Sequence, residues 1–569
     1  MKKLSLLVLI FLGITALMAS PVSYAQTPAG GGAVHYVLAE GGVDQGTCSN
    51  AQAPCKTIGY AVSRAGAGEV IRIANKFQTA VYTEHVQIHK ALRLEGGWNV
   101  TPTAHGLMWR RPAPCEAFRT VISGGHNGRP LTITGVAAEI DCLTIQYGNA
   151  SGLGGSGSGY DVGGGVFSDH AQLTLSNCDI RSNVAATNNV GWGGGVGVVG
   201  GRIVMSHNTI ASNTASTLNS GYGGGVYIRT GAGELVGNLI RDNRASNSDY
   251  GMGGGVMGFQ SDMILSQNQV MKNRASWSAY GMGGGIGVWR GSLNMENDVV
   301  TNNQSGSSSA ATGHGGGIAG LNLDAFDMAN VVVSYNRTPE RGGGVYLEEV
   351  VSTEILYSRI YGNRAKEGGG IYFMLGQNAL LRQCEIESNT AQWGGGVHVN
   401  AMTGSFYLDN ALVTGNETSP AAHGAGLYLM TPHVFLRHDT FVDNDGLTAV
   451  AAGTGHITMQ NCIIADHAQG LIVQSPGHAW LAGTLWWHNS TDYSGAVTVS
   501  APDLHADPQF ADPGCGDFHL KPTSPAIDAG VNVGVIIDID GDPRPMAAGY
   551  DIGADEYVAD RIRLPLILR

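Results

Sequence analysis

The chain has 569 residues, of which 86 are glycine, 43% are hydrophobic and 14% are charged. Glycine is thus about twice as frequent as usual, and charged residues fall well below the usual share of about 25%. The formal charge of −13 argues against a nucleic-acid partner, and the clustering of the glycines excludes collagen. A single compact core of this length would normally divide into domains, so a repeat protein is the simplest alternative.

Residues 1–25 have the pattern of a secretory signal peptide. Lys2 and Lys3 precede an apolar segment at 6–17, and Ala25 ends a cleavage site of the small-x-small type. No later segment approaches the roughly 18 consecutive apolar residues that a membrane helix needs. We therefore expect a secreted or cell-surface protein whose mature chain has no membrane span.

The next segment, residues 26–69, is predicted to cap the fold. Cys48 and Cys55 lie seven residues apart in a loop of an exported chain, which predicts a disulfide. Residues 56–65 have the apolar spacing of an amphipathic helix, which we expect to precede the first strand, at 69–73. Three further cysteines precede apolar repeat positions and are predicted to be buried free thiols: Cys178, Cys384 and Cys462. The pairing of the remaining three stays open: Cys115, Cys142 and Cys515.

Two sequence columns recur with a period of about thirty residues from position 163 onward. The first column is a glycine triplet, found at 163–165, 193–195, 223–225, 253–255, 283–285, 315–317, 342–344, 368–370 and 394–396, with a Gly-Ala-Gly variant at 424–426. The second is an asparagine three residues after an apolar position: Asn183, Asn213, Asn243, Asn273, Asn303, Asn336, Asn363, Asn389, Asn416 and Asn444. The spacing from triplet to asparagine is nearly constant, which indicates a solenoid of stacked coils.

Short alternating apolar runs follow the triplets, as at residues 226–229 and 371–374. This is the period of a β-strand, and no sustained helical stripe competes with it. We therefore predict an all-β fold, a single-stranded right-handed parallel β-helix over residues 70–501 with about 14–16 coils. The connections between asparagine and triplet lengthen over residues 183–315, where stacked loops would form a ridge suited to recognition.

These columns carry a family resemblance. The glycine triplets and the apolar-x-x-Asn positions resemble the repeat of chlamydial polymorphic outer-membrane proteins and the wider pectate-lyase-like superfamily. The tail, residues 502–569, resembles the C-terminal module called choice-of-anchor Q. Its matching segments are 507–510, 516–520, 524–530, 540–544 and 551–556. The resemblance implies a β-helix fold, but this fold carries lyases, hydrolases, adhesins and inert scaffolds alike.

Aromatic residues occupy consecutive coils at the second position after the triplets. If the first position points inward, the second faces outward, and it contains Tyr346, Tyr372, His398 and Tyr428. Exposed rings about 4.8 Å apart would suit a stacked sugar or a protein partner. The alternative is an aromatic ladder that only stabilises the stack of coils.

Acidic residues are sparse at the same outward positions, which argues against an enzyme. The resemblance implies that an enzyme of this superfamily would use carboxylates on one face, with an arginine or lysine nearby. The densest acidic group is Asp439, Asp443 and Asp445, which is either an active or metal site or a set of solvated turn residues. We therefore favour a recognition or adhesion scaffold for polysaccharide or protein, with a polysaccharide lyase or glycoside hydrolase as the alternative.

The tail contains a pattern typical of metal-binding loops. Asp538, Asp540 and Asp542 place oxygen ligands at alternate positions around a glycine, as at the start of a calcium loop. The glutamate that closes an EF-hand is missing, because Gly549 occupies its position. The alternatives are thus a structural calcium site and a hydrogen-bonded aspartate turn, and no other cofactor is predicted.

Overall fold

The structure is a computed structural model that describes residues 32–76, 79–115, 120–155, 157–306, 312–419 and 423–559. The predicted signal peptide lies outside the described residues, as does the end of the tail from residue 560. Among the described residues, no helix has the length and apolar character that a membrane crossing would require.

The described residues form the predicted parallel β-helix, in which most strands pair with the same strand of the next coil. The strand Gly106–Arg110 is an exception, since it pairs antiparallel with Leu92–Thr103. For example, Val256–Ser266 pairs in parallel with Ile286–Glu296, and Val270 stands opposite Val300. Two long sheets result, which we call sheet 1 and sheet 2, with 26 and 16 strands. The predicted fold class is confirmed.

Sheet 1 contains the longer strands of each coil. Its members are Val34–Leu38, Glu69–Asn75, Val86–Ile88, Leu92–Thr103, Gly106–Arg110, Leu131–Thr134, Ala137–Asp141, Val166–Ser176, Val196–Ser206, Val226–Arg229, Ala232–Val236, Val256–Ser266, Ile286–Glu296, Ile318–Ala329, Val345–Glu348, Ser352–Leu356, Ile371–Met374, Asn378–Arg382, Val397–Asn400, Ser405–Asp409, Leu427–Arg437, Val450–Gln460, Gln469–Val473, His478–Ala482, Thr491–Ser494 and Val497–Ala501.

Sheet 2 contains one short strand from each coil. Its members are Ala80–Thr83, Thr120–Ser123, Thr144–Gln146, Asp179–Arg181, Thr209–Ala211, Leu239–Arg241, Gln269–Met271, Val299–Thr301, Val332–Ser334, Arg359–Tyr361, Glu385–Glu387, Leu412–Thr414, Thr440–Val442, Ile463–Ala465, Leu485–Trp487 and Leu504–His505. Inward side chains of both sheets, such as Ile240, Val270 and Ile286, are fully buried in one continuous apolar core.

The long connections of the middle coils are also ordered as short parallel strands. Sheet 3 consists of Asp161–Val162, Gly191–Trp192, Gly221–Tyr222, Gly251–Met252, Gly281–Met282 and Gly313–His314. Sheet 4 consists of Val184–Ala186, Thr214–Ser216, Arg244–Ser246 and Arg274–Ser276. The loops that the sequence predicted as a ridge are therefore stacked extensions of the β-helix.

The glycine triplets form the corner that leads into sheet 1. The first glycine has a left-handed backbone, with φ of 65° at Gly223. At the second, Gly224, a Cβ atom would collide with the carbonyl oxygen of Gly254 in the next coil. Only glycine satisfies both demands at a spacing of about 4.8 Å between coils.

The predicted asparagine column forms a buried hydrogen-bonded ladder. The Asn213 Oδ1 atom accepts from the backbone N–H and from the Nδ2 of Asn183, at 3.0 and 2.9 Å. The Nδ2 of Asn213 donates in turn to the Ile180 carbonyl oxygen and to Oδ1 of Asn243, at 2.8 and 3.0 Å. A second ladder that we did not predict runs through Asn208, Asn238 and Asn268 to Asp298. Each amide thus satisfies backbone groups that the turn leaves buried.

The N-terminal cap differs in order from the prediction. The helix Ile58–Arg64 forms, with Thr57 as its N-cap, but the strand Val34–Leu38 precedes it and pairs with Glu69–Asn75. The expectation that the helix precedes the first strand was wrong, because the chain enters sheet 1 before it turns into the helix. The helix packs its apolar side, including Ile58 and Ala61, against the first coils.

The cysteines divide into paired and buried thiols. Cys48 and Cys55 form a disulfide with an S–S distance of 2.05 Å, and a second disulfide joins Cys115 to Cys142. Cys515 is an exposed free thiol. Three others are free and buried, in line with the prediction: Cys178, Cys384 and Cys462.

The tail packs against the last coils beside sheet 2. It contains the antiparallel strands Phe510–Asp512 and Asp517–Leu520, joined by a 3-10 turn at Pro513–Cys515. Leu520 belongs to an apolar cluster that includes Ile463 of sheet 2. The tail thereby covers the outward side of sheet 2 over its last coils.

Candidate functional site

The aromatic column predicted for ligand binding lies in the interior. Tyr346, Tyr372 and His398 are 1%, 0% and 6% exposed, and Tyr428 is half-buried. Their rings contact one another in sequence, with centroid distances of 5.7, 4.7 and 4.9 Å. The prediction of an exposed aromatic face at these residues was wrong, and their arrangement is that of the stabilising ladder.

A second layer of side chains covers this aromatic column. Arg341 lies over the Tyr372 ring, and the Tyr346 hydroxyl donates to Oε2 of Glu348 at 2.7 Å. Burial and the nearby Arg341 charge lower the pKa of His398 to about 3, so this ring is neutral at physiological pH. The outward side chains of these sheet 1 strands therefore do not reach the molecular surface. The corner residues before each triplet, such as Arg341, cover them.

A partly exposed aromatic surface lies further along the same sheet, after each strand turns a left-handed corner such as Ala401. There, Tyr407, Phe435 and Trp480 occupy outward positions of successive coils, with Thr458 between the last two. We call these four residues the aromatic strip. Tyr407 and Phe435 stack at 4.8 Å with nearly parallel rings, and Trp480 is 38% exposed.

Histidines line one edge of the aromatic strip. His433, His456 and His478 are in register in three consecutive coils, and the first two are exposed. The Trp480 ring contacts His456 and His478 at centroid distances of 5.1 and 4.5 Å. A partly exposed indole beside imidazole donors and acceptors can stack on a sugar ring and bond its hydroxyls.

The sequence contained a signal for this strip. Tyr407 and Phe435 alternate with buried residues of the core in their strands, so strand periodicity places them outward. The repeat columns do not include them, because those columns mark only the positions next to the triplets and the asparagines.

The predicted acidic group of Asp439, Asp443 and Asp445 is divided between two environments. Asp439 is fully buried and accepts the backbone N–H of Ala411 at 2.9 Å, a position equivalent to the second asparagine ladder. Burial raises the pKa of Asp439 well above its usual range. Asp443 and Asp445 are exposed turn residues on the far side of the strand Thr440–Val442. The three do not form one site, because the intervening strand separates them.

A different pair of carboxylates lies on sheet 2. Glu385 and Glu387 point outward from one strand, and the Nε atom of Arg359 lies 3.1 and 2.7 Å from their oxygens. Burial and the neighbouring Glu387 raise the pKa of Glu385 to about 8. A carboxyl group with a raised pKa beside a second carboxyl group and a guanidinium is an arrangement that general acid–base catalysis uses.

The predicted calcium loop brings Asp538, Asp540 and Asp542 together. One carboxylate oxygen of each lies within 4.8 Å of the others. The Asp538 Oδ1 atom accepts the backbone N–H groups of Asp540 and Asp542, and its Oδ2 accepts that of Glu556, at 2.7–3.0 Å. Asp538 thus also shapes the turn. The donor set suits a hard cation, and calcium at these residues stays a prediction.

His519 contacts the same loop from the tail hairpin. Its Nε2 lies 2.7 Å from Oδ2 of Asp540, and its Nδ1 lies 2.5 Å from Oδ1 of Asp517. Burial opposes the charged ring, but the hydrogen bonds with Asp540 and Asp517 prevail and raise the pKa of His519 to about 9. The imidazolium therefore neutralises part of the acidic cluster.

No protein-family model and no curated protein sequence matches the chain. Among solved structures, it is similar to the Dettilon tailspike protein gp208, with 10% identity over 71% of this chain and 68% of that one and a TM-score of 0.31. It is also similar to pectate lyase Pel9A, with 13% identity over 92% and 96% of the two chains and a TM-score of 0.22. The A-module of the Azotobacter vinelandii mannuronan C-5 epimerase AlgE6 matches at 12% identity, over 79% and 93%, with a TM-score of 0.27.

Proposed function

We propose that the chain is an exported or cell-surface scaffold that recognises polysaccharide through the aromatic strip of sheet 1. The observation that carries this proposal is the partly exposed Trp480 ring at the end of a strip of outward aromatic residues. A rigid sheet supports the strip, so little side-chain freedom would be lost on binding. The repeat and tail resemblances, to chlamydial polymorphic outer-membrane proteins and choice-of-anchor Q modules, support a surface location and remain predictions.

The strip fits a linear ligand that follows the axis of the β-helix. Its positions repeat once per coil, at about 4.8 Å, so several sugars of one polymer can contact equivalent side chains. His433 and His456 are exposed beside it and supply hydrogen-bonding groups. A protein ligand is the other partner that an aromatic surface accommodates.

The test compares two tryptophans of equal exposure on different sheets. Trp480 on sheet 1 is 38% exposed, and Trp487 on sheet 2 is 39% exposed. A glycan array first selects a neutral polysaccharide, and titration of that polysaccharide then compares Trp480→Ala with Trp487→Ala. Loss of the indole contact should weaken binding about tenfold in Trp480→Ala. Equal affinities of the two variants would refute the aromatic strip as the site.

A glycoside hydrolase or polysaccharide lyase is the second candidate, and the Glu385–Glu387 pair favours it. Glycosidases use two carboxyl groups of which one is protonated at the working pH. Incubation of the protein with a panel of polysaccharides, followed by measurement of new reducing ends and unsaturated products, tests this candidate. Turnover that disappears in Glu385→Gln, but not in Asp443→Asn, would establish the enzyme and replace the scaffold proposal.

A further inference from the structure

A row of cations runs along the turns that follow the asparagine ladder. Each residue directly after a ladder asparagine pairs with its equivalent in the next coil, and Arg244, Arg274, Arg337 and Arg364 occupy four of five consecutive positions. Gln304 occupies the position between the two pairs. Lys366 lies two residues beyond Arg364 and is exposed. We call these four arginines and Lys366 the arginine ladder.

The cations of the ladder form no direct ion pairs with the described residues. Among the described residues, none of its five cations lies within 4.0 Å of a carboxylate, whereas arginines on other faces, such as Arg202 and Arg241, pair with Glu234 and Asp242. Burial and the charge of Arg244 lower the pKa of Arg274. Like charges directly opposite one another in a sheet are destabilising, so an anionic ligand would relieve this repulsion.

The second half of the ladder lines a groove. The groove has a volume of about 500 Å³, and Arg337, Arg364 and Lys366 line it together with polar side chains such as Gln304 and Gln392. Glu417 is the one carboxylate among the described residues of the lining, so three cations face one acidic group. Four steps from the first to the last arginine span about 19 Å at one coil each. The cations are thus arranged in a line parallel to the axis of the β-helix.

We propose that the arginine ladder binds a linear acidic polysaccharide, with one acidic group of the polymer near each cation. This site is separate from the aromatic strip and does not depend on it. Guanidinium groups form paired hydrogen bonds with carboxylates and sulfates, which a line of regularly spaced arginines can repeat.

A polysaccharide fits the ladder better than a nucleic acid does. The net charge of −13 opposes both kinds of polyanion, so the distinction rests on the aromatic residues beside the ladder. Nucleic-acid grooves also present aromatic faces on which bases stack. Here Trp277 has the guanidinium groups of Arg244 and Arg274 over it, at 4.8 and 4.2 Å. Trp393 is 39% exposed and donates its backbone N–H to the Lys366 carbonyl oxygen at the opposite end of the ladder, so these two rings form no continuous row on which bases could stack.

The test measures binding of acidic polymers to the full chain in low and moderate salt. The probes are polygalacturonate, chondroitin sulfate, the methyl ester of polygalacturonate as a neutral match, and single-stranded oligothymidylate. We expect the two acidic polysaccharides to bind, more weakly as salt rises, and the methyl ester not to bind at this site. The triple variant Arg337→Gln, Arg364→Gln, Lys366→Gln should lose at least tenfold in affinity, since one charge-assisted hydrogen bond alone accounts for about that factor.

The matched control removes three arginines from other faces: Arg181→Gln, Arg202→Gln, Arg241→Gln. This control variant changes the net charge by the same amount. It should still bind the acidic polysaccharides if binding depends on the cations of the ladder and not on total charge. Three outcomes would overturn the proposal. Both triple variants could lose the same affinity, neither acidic polysaccharide could bind, or the oligothymidylate could bind more tightly than the polysaccharides. Trp480→Ala should leave this binding unchanged, which separates the result from the fate of the aromatic strip.

Discussion

Removal of one amide from the asparagine ladder should destabilise the middle of the β-helix strongly. Asn303 is 1% exposed, and its Oδ1 atom accepts from the backbone N–H and the Nδ2 of Asn273, at 2.9 and 3.1 Å. Its Nδ2 donates to the carbonyl oxygen of Val270 at 2.8 Å and to Oδ1 of Asn336 at 3.1 Å. In Asn303→Ala, all four of these hydrogen bonds disappear.

Two of the losses matter most for the free energy of unfolding. The Nδ2 of Asn273 still donates to the Ile240 carbonyl, and Oδ1 of Asn336 still accepts the backbone N–H of residue 303. The Asn273 backbone N–H is left without its acceptor, and the Val270 carbonyl loses one donor. An orphaned buried N–H costs about 1–3 kcal/mol and a lost hydrogen bond about 1 kcal/mol, so we expect a loss of about 2–4 kcal/mol.

Urea unfolding and hydrogen exchange measure this loss. Asn303→Ala should increase the exchange rate more in the coils of residues 273 and 303 than at the ends of the solenoid, because coils interact mainly with their neighbours. The control is Asn294→Ala, an exposed position on sheet 1, which should change stability by less than about 0.5 kcal/mol. A loss below about 1 kcal/mol in Asn303→Ala, or equal effects of the two variants, would refute the reasoning.

Three further predictions concern protonation, thiols and calcium. Because the pKa of buried His398 is lowered to about 3, the unfolded chain binds the extra proton as pH falls below about 6.5. The free energy of unfolding should therefore fall toward pH 4, by about 1.4 kcal/mol per pH unit for this residue. Urea midpoints measured against pH should change less steeply in His398→Gln than in the unmodified chain, and equal slopes would contradict the prediction. A thiol reagent should modify one group in the native chain, the exposed Cys515, and Cys515→Ser should remove that reaction. After the protein has been treated with a chelator, titration with calcium should release heat and raise the melting temperature. Asp542→Asn should abolish both effects. If the unmodified chain releases no heat, the loop is a hydrogen-bonded aspartate turn.

Local patterns and repeat arithmetic predicted most of the fold. The triplet at 223–225 and its equivalents predicted a corner, and the Asn213 column predicted a turn with stacked amides. Both follow from the backbone itself, because only glycine tolerates the approach of the next coil and an amide can bond the same groups in every repeat. The disposition of the aromatic residues was not predictable in the same way. Tyr372 and Tyr407 both occupy outward strand positions, yet Tyr372 is fully buried and Tyr407 is partly exposed.

The sequence by itself thus determined the solenoid, its two main columns and the Cys48–Cys55 pairing, since each depends on neighbours in the chain or in the next coil. Only the tertiary structure decided which surfaces face water and which charges meet. The aromatic column at Tyr372 is covered by Arg341 from a corner, and Glu385 meets Glu387 and Arg359 on sheet 2. The physical reason is that exposure and charge pairing depend on how corners and loops fold back over a strand, which strand periodicity does not encode.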